Sequence, residues 1–275
     1  MRAALVQLRS SDDPAANLPV TEGFVRAAAG AGAGLVLTPE CTNMMSASRS
    51  RQTALLAPEA EDATLARLRA LAGELGLWLL IGSLLLKGEA DGRFVNRSFL
   101  IAPDGAVAAR YDKIHMFDVE LGEGESYRES AAFRPGARAV AARAGDLTLG
   151  LSICYDLRFP QLYRALAQAG AQALAIPSAF TVPTGKAHWE TLLRARAIET
   201  GAYVLAPAQC GLHPAVEGQP RRTWGHSLAV SPWGEVLADG GVDPGVTLVD
   251  LDPKAVAEAR RRIPSLTHDR DFARD

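Results

Sequence analysis

The chain is poor in cysteine, lysine and net charge, and each shortage closes off a class of protein. Three cysteines, Cys41, Cys154 and Cys210, form no even framework, which excludes a disulfide-stapled scaffold and fits a reducing, cytoplasmic setting. Neither Cys-x-x-Cys nor His-Glu-x-x-His occurs, and the five histidines fall in unrelated segments, so no metal site is expected. Basic residues number 29 against 31 acidic ones, and a net charge of -2 offers no electrostatic footprint for nucleic acid or an anionic membrane. The one run of three cations, Arg260-Arg-Arg262, reads as a helix C-terminus facing water. No apolar stretch reaches the ~18 residues of a membrane span, and the start at Met1 turns polar too soon for a secretion signal. Only four lysines occur, Lys87, Lys113, Lys186 and Lys254, which makes each of them informative.

What is present describes a globular α/β chain. Hydrophobic residues make up 48% and charged residues 22%, and 275 residues is a length that α/β proteins reach around one core, so one domain over 1–275 is expected. Strands are expected at Ala3–Leu8, Leu35–Leu37 and Trp78–Leu86, with helices from Asp13 to Ala31 and from Asp62 to Leu75. A hairpin of Phe94–Ala102 and Ala106–Arg110 flanks the turn Pro103-Asp-Gly105, and a Gly-rich loop follows Asp118. The second half repeats the logic. Strands fall at Ala139–Ala142, Leu147–Ser152, Ala173–Ile176, Tyr203–Ala208, His226–Val230, Val236–Ala238 and Val246–Asp250. Helices fall at Pro160–Gln168, Ala187–Thr200 and Pro253–Arg262, the last with proline in its first turn. Mixed hairpins and helices predict stacked sheets with helices outside.

Three segments carry chemistry. In Leu149-Gly-Leu-Ser-Ile-Cys154 an apolar run stops at a thiol and turns toward a helix-like segment, a place where an α/β protein can hold a nucleophile. In Leu35-Val-Leu-Thr-Pro-Glu40 a carboxylate follows directly on a strand end, with Pro39 fixing the exit. In Arg110-Tyr-Asp-Lys113 an ammonium arrives after the hairpin. A thiol, a carboxylate to take its proton and a fixed cation to hold an oxyanion are what attack on an unactivated amide requires. Side chains and backbone supply every part of that reaction, so no cofactor is expected.

These strings resemble the nitrilase, or carbon-nitrogen hydrolase, superfamily, whose Glu-Lys-Cys set matches Glu40, Lys113 and Cys154. The match continues through Tyr127-Arg-Glu129-Ser, Ile176-Pro-Ser-Ala-Phe180, Thr184-Gly-Lys-Ala-His-Trp-Glu190, Leu193-Arg-Ala-Arg-Ala-Ile-Glu199 and Trp224-Gly-His-Ser227. The resemblance implies a four-layer α-β-β-α sandwich, a second glutamate at Glu129 orienting lysine and substrate, and a homodimer or larger homo-oligomer. It also implies an oxyanion held by the Tyr155 N–H and Lys113, and a pocket lined by Phe180 and Thr181. Arg158 is read either as the fork for a substrate carboxylate or as a brace to Asp156. Glu190, Arg194 and Arg196 can knit subunits or brace the lysine loop. Cys210 reads as packing, and Cys41 points away from Glu40 if the chain there is extended. The loop Cys210–Arg222 can supply arginine or histidine to a longer acidic substrate.

Cys154-Tyr-Asp-Leu-Arg-Phe-Pro160 resembles the amidases of this superfamily that act on small α-keto acid amides, a resemblance that disfavours nitriles and implies a small-molecule amide. Pro177-Ser-Ala-Phe180, Leu193-Arg-Ala-Arg-Ala-Ile-Glu-Thr200 and Ala208-Gln-Cys-Gly211 extend it and imply deaminated glutathione as the first substrate, with 2-oxoglutaramate, the omega-amidase substrate, as the alternative. The alternative of another class is a catalytically silent binding or scaffold module, against which the matching residues at every catalytic position argue.

Overall fold

A computed structural model describes residues 1–88, 91–122 and 125–273. The first half runs β1 (Arg2–Gln7), α1 (Pro14–Gly30), β2 (Leu35–Leu37), α2 (Arg49–Leu55), α3 (Ala63–Leu75), β3 (Trp78–Lys87), β4 (Phe94–Ile101), β5 (Val107–Asp112), β6 (Asp118–Gly122) and β7 (Glu125–Arg128). The second runs β8 (Val140–Ala144), β9 (Leu147–Leu151), α4 (Pro160–Gln168), β10 (Ala173–Ala175), α5 (Val182–Thr200), β11 (Tyr203–Ala206), β12 (Cys210–Leu212) and β13 (Arg222–Trp224). It closes with β14 (Leu228–Val230), β15 (Val236–Asp239), β16 (Gly245–Asp250) and α6 (Pro253–Arg262). The Gly-rich loop expected after Asp118 falls partly on residues 123–124, outside the described residues.

Local chemistry sets the helix ends. Asp13 caps α1 by accepting from the Ala15 N–H at 2.9 Å, with Pro14 in the first turn where its missing N–H costs nothing. Asp62 caps α3 through the Leu65 N–H at 2.7 Å, and Gly76 ends it at a φ of 64° that suits glycine.

Two six-stranded sheets form, in the orders β16-β1-β2-β3-β4-β5 and β15-β14-β11-β10-β9-β8. The first is parallel across β1, β2 and β3, the second across β9, β10 and β11, and the outer strands of both pair antiparallel. Strand alternation then sorts the side chains. Ala3, Leu5, Leu35, Leu37, Leu80 and Leu100 share one core with Leu149, Leu151 and Leu174 of the facing sheet. Their neighbours Ala4, Val6, Val36, Leu79 and Ile81 turn outward onto Val25 and Ala28 of α1 and Leu65, Leu68 and Leu71 of α3. Leu162 and Leu166 of α4 and Trp189, Leu193 and Ala197 of α5 join the second sheet. The layers are therefore α-β-β-α, each fully buried leucine contributing about 1.5–3 kcal/mol.

The structure departs from the expected elements where pieces are short or where a helix starter looks like a breaker. Helix α5 begins at Val182, five residues before the expected Ala187, because Pro183 is tolerated in a first turn and Gly185 lies against Trp224, where an added Cβ would meet Cγ at 2.2 Å. The hairpins β6–β7 and β12–β13 and the short helix α2 carry no periodicity long enough to read.

Candidate active site

The parallel strands aim their C-terminal ends at one edge, where α/β sheets commonly hold their sites. Glu40 lies three residues past Leu37 of β2 and Cys154 three past Leu151 of β9. Lys113 follows β5, which runs in the same direction as β3 because two antiparallel pairings separate them.

Glu40 is held by its backbone. A register shift between Ile81 and Leu84 of β3 frees Gly82 and Ser83 to grip the 38–42 loop. Gly82 N–H donates to Thr38 Oγ1 at 3.0 Å, Ser83 N–H to Pro39 O at 3.2 Å, and Thr42 N–H to Ser83 O at 2.9 Å. The approach needs glycine, since a Cβ at position 82 would lie 1.9 Å from Thr38 O. Lys113 is fixed by its N–H to Asn96 O at 3.0 Å, and its Nζ donates to Glu40 Oε1 and to both carboxylate oxygens of Glu129, each at 2.9 Å. Glu129 also accepts from the Phe117 N–H at 2.6 Å, and Asn96 Nδ2 donates to Glu40 Oε1 at 2.9 Å. A buried pair of carboxylates is costly without a cation between them, and Lys113 occupies that place.

Cys154 opens a 3-10 turn, Cys154–Arg158, at a φ of 51°. A β-carbon is disfavoured there, and such strain is held only where the surroundings over-determine it. They do so here. Cys154 N–H donates to Pro177 O at 2.9 Å, and the fully buried Asp156 accepts from Ile153 N–H at 2.9 Å, Tyr111 Oη–H at 2.6 Å and His115 N–H at 3.0 Å. Asp156 thus ties the thiol's turn to the strand that carries Lys113. Among the described residues no acceptor takes the Tyr155 N–H.

The electrostatics set the proton's resting place. Burial raises the Glu40 carboxyl, but the charge and hydrogen bond of Lys113, with the Cys154 thiol and Arg221, outweigh it and leave the pKa below its ordinary value. Burial and then the Glu40 charge push the Cys154 thiol up, against the pull of Lys113 and a hydrogen bond from the Ala179 backbone. Burial opposes the Lys113 ammonium, yet Glu129 and Glu40 hold its pKa well above the usual lysine range. The resting state is a protonated thiol and an ionised Glu40 carboxylate, beside a permanent cation.

Glu40, Lys113, Glu129 and Cys154 all line one cavity of about 340 Å³, together with Tyr155, Phe180 and Thr181. Phe180 tilts against Trp189 with centroids 4.8 Å apart, and Thr181, directly before α5, meets Thr184 Oγ1 through its hydroxyl at 2.9 Å. Arg158 is not among the lining residues. Its Nη2 lies 3.2 Å from His188 Nδ1, its guanidinium stands over Tyr155 and Phe180, and the expected brace to Asp156 is not formed. Arg196 braces the thiol's turn through Leu157 O at 2.9 Å instead of the lysine loop, while Glu190 pairs with Arg194. Cys41 is not in extended backbone but at a φ of 58°, and it lines the cavity beside Glu40. Cys210 is buried in β12. Two further groups were not singled out in the sequence, Asn96 in the cavity wall and Asp156 as a clamp, while the loop expected to supply arginine or histidine, Cys210–Arg222, brings Arg221 into the cavity wall as a further cation. Among the described residues no group of three or more His, Cys, Asp or Glu could hold a metal ion.

The carbon-nitrogen hydrolase family model matches residues 2–261. The deaminated glutathione amidase of Synechocystis is 40% identical over 97% of this chain and 97% of its own length. Saccharomyces cerevisiae Nit3, a member of branch 10 of the nitrilase superfamily, superposes with a TM-score of 0.86 at 29% identity, over 99% of this chain and 97% of that one. An amidase variant from Nesterenkonia sp. AN1, bearing the acetamide moiety of fluoroacetamide covalently on its active-site cysteine, superposes with a TM-score of 0.79 at 31% identity, over 96% of each chain.

Proposed function

The chain belongs to the carbon-nitrogen hydrolase family, and from that premise we propose that it hydrolyses the amide bond of deaminated glutathione through a thioester on Cys154. The observation that carries the reading is the buried contact of Lys113 Nζ with Glu40 and Glu129 in the cavity that the Cys154 thiol also lines. Glu40 takes the Sγ proton as sulfur attacks the carbonyl carbon, and the carbonyl electron pair moves onto oxygen. The Tyr155 N–H and the Lys113 ammonium receive that oxyanion, a donor of this kind being worth about 2.7–4 kcal/mol. Collapse breaks the carbon-nitrogen bond, and Glu40 returns the proton to the departing amine, here Cys-Gly. Glu40 then takes a proton from water, whose oxygen attacks the thioester, releases 2-oxoglutarate and restores the thiol.

A cavity of about 340 Å³ lies in the range that holds small organic substrates. Among the described residues no helix is long and apolar enough to cross a membrane. Three free, buried cysteines support a cytoplasmic setting, and exposed Ile198, Trp233, Leu237 and Ile263 support self-association as a homodimer or larger assembly. The test is kcat/KM for deaminated glutathione, 2-oxoglutaramate, a neutral aliphatic amide and an aliphatic nitrile. Deaminated glutathione should lead. If 2-oxoglutaramate leads, the substrate changes within the same chemistry; if the neutral amide or the nitrile leads, the substrate class is wrong.

A further inference from the structure

We propose that Arg221 is the residue that anchors a carboxylate of the substrate, an inference that rests on the amidase reading above and adds to it the source of anion selectivity. The cavity wall holds two sunken cations that differ in one respect. Lys113 has both of its carboxylates in contact. Arg221 donates Nη2 to Ala179 O at 3.1 Å, its buried Nε has no partner, and it forms no ion pair among the described residues. The Tyr127 ring, 5.3 Å from the guanidinium carbon, offsets part of the cost of burying that charge, but a ring face satisfies no N–H. An arginine fork with open donors in a pocket wall fits a planar carboxylate.

Its position suits that task. The stretch Pro177-Ser-Ala179 faces both residues: Pro177 O accepts from Cys154 N–H at 2.9 Å, Ala179 O accepts from Arg221 Nη2 at 3.1 Å, and Cys154, Ala179 and Arg221 line the same cavity. Three residues of backbone thus link the thiol's residue to the guanidinium, a separation on the order of 10 Å, which a short dicarboxylic chain can bridge. The loop that delivers Arg221 is fixed at several points. His213 Nδ1 lies 2.8 Å from Ser10 O, His213 Nε2 lies 2.7 Å from Thr223 Oγ1, and Glu217 accepts from Ser48 and Ser50, each at 3.0 Å. A fixed fork loses little freedom on binding.

Deaminated glutathione carries a carboxylate at its keto-acid end and another on the departing peptide, and the test separates them. In the full chain, kcat/KM is compared for succinamate, with its carboxylate on the acyl side, for butyryl-Cys-Gly, with its carboxylate on the amine side, and for neutral butyramide. In Arg221→Gln the ratio of the anionic to the neutral substrate should fall roughly tenfold to a hundredfold. A fall for succinamate assigns the contact to the acyl end, and a fall for butyryl-Cys-Gly alone assigns it to the leaving end. If all three substrates fall in equal proportion, or neither ratio moves, the proposal is overturned. Should Arg221→Gln fail to fold, Arg221→Lys keeps the charge without the fork, and a ratio unchanged there also overturns it. Binding of succinate and of Cys-Gly to Cys154→Ala, with and without Arg221→Lys, reads the contact without turnover. Failure of wild type to cleave deaminated glutathione would therefore remove the substrate reading while leaving the Arg221 contact measurable.

Discussion

After β2 the chain runs Thr38-Pro39-Glu40, and after β10 it runs Ile176-Pro177-Ser178, so two three-residue parallel strands leave their sheets through a proline at the same step. The first loop presents a side chain, the Glu40 carboxylate, while its backbone is gripped by β3. The second presents backbone. Pro177 O accepts from Cys154 N–H, Ala179 O accepts from Arg221 Nη2, and Ser178 turns its hydroxyl back onto Ile176 O at 3.0 Å. One local structure thus does two jobs, a proton carrier on one side of the thiol and a cradle on the other. The two loops meet at Gly82, where a Cβ would stand 2.6 Å from Pro39 O and 2.5 Å from the Pro177 side chain.

The comparison breaks most sharply at its charged member. Glu40→Gln should lower turnover by about 10²–10⁴ at neutral pH, the usual loss for a general base. Because the Glu40 pKa is depressed in the fold, the wild-type acid limb in kcat/KM should lie below the ordinary glutamate range. Protonation of Glu40 removes the base as pH falls through that depressed value, so a limb above the ordinary range would contradict the assignment. Gly82→Ala comes next, since it wedges both loops at once. It should cost about 1–3 kcal/mol in a denaturant titration and lower kcat by up to about 10² through misplacement of Glu40 against the thiol. Ser178→Ala, the counterpart of the Glu40 change, should leave turnover within about threefold; a loss as large as that of Glu40→Gln would mean that the second loop acts through its side chain after all.

This contrast also explains what could be read from the sequence. Lys113 and Cys154 are scarce types at strand ends, Glu40 follows directly on a strand, and Glu129 sits in a matching string, so their meeting was legible. The strands of the two large sheets were legible from their apolar runs and turns, α1, α3 and α6 from a capping aspartate, and α4 from Pro160 in its first turn. Asn96 and Asp156 act through partners 56 and 45 residues away, contacts that pairing of distant strands creates and no local pattern announces, and the loop Cys210–Arg222 was read as a source of arginine without Arg221 being told apart in it. Arg158 stood nearer to the thiol in sequence than Arg221 and drew the carboxylate-binding expectation, but a 3-10 turn carries it toward His188. Cys41 was placed on an extended backbone that a φ of 58° replaces with a turn.

The central claim is that Cys154 carries the acyl group. The most direct measurement is mass spectrometry of wild-type protein acid-quenched during turnover of deaminated glutathione, followed by peptide mapping of the adduct. The account predicts a 2-oxoglutaryl thioester on the peptide that contains Cys154 and its disappearance in Cys154→Ala. An acyl group on Cys41 or Cys210, or undiminished turnover in Cys154→Ala, would contradict it.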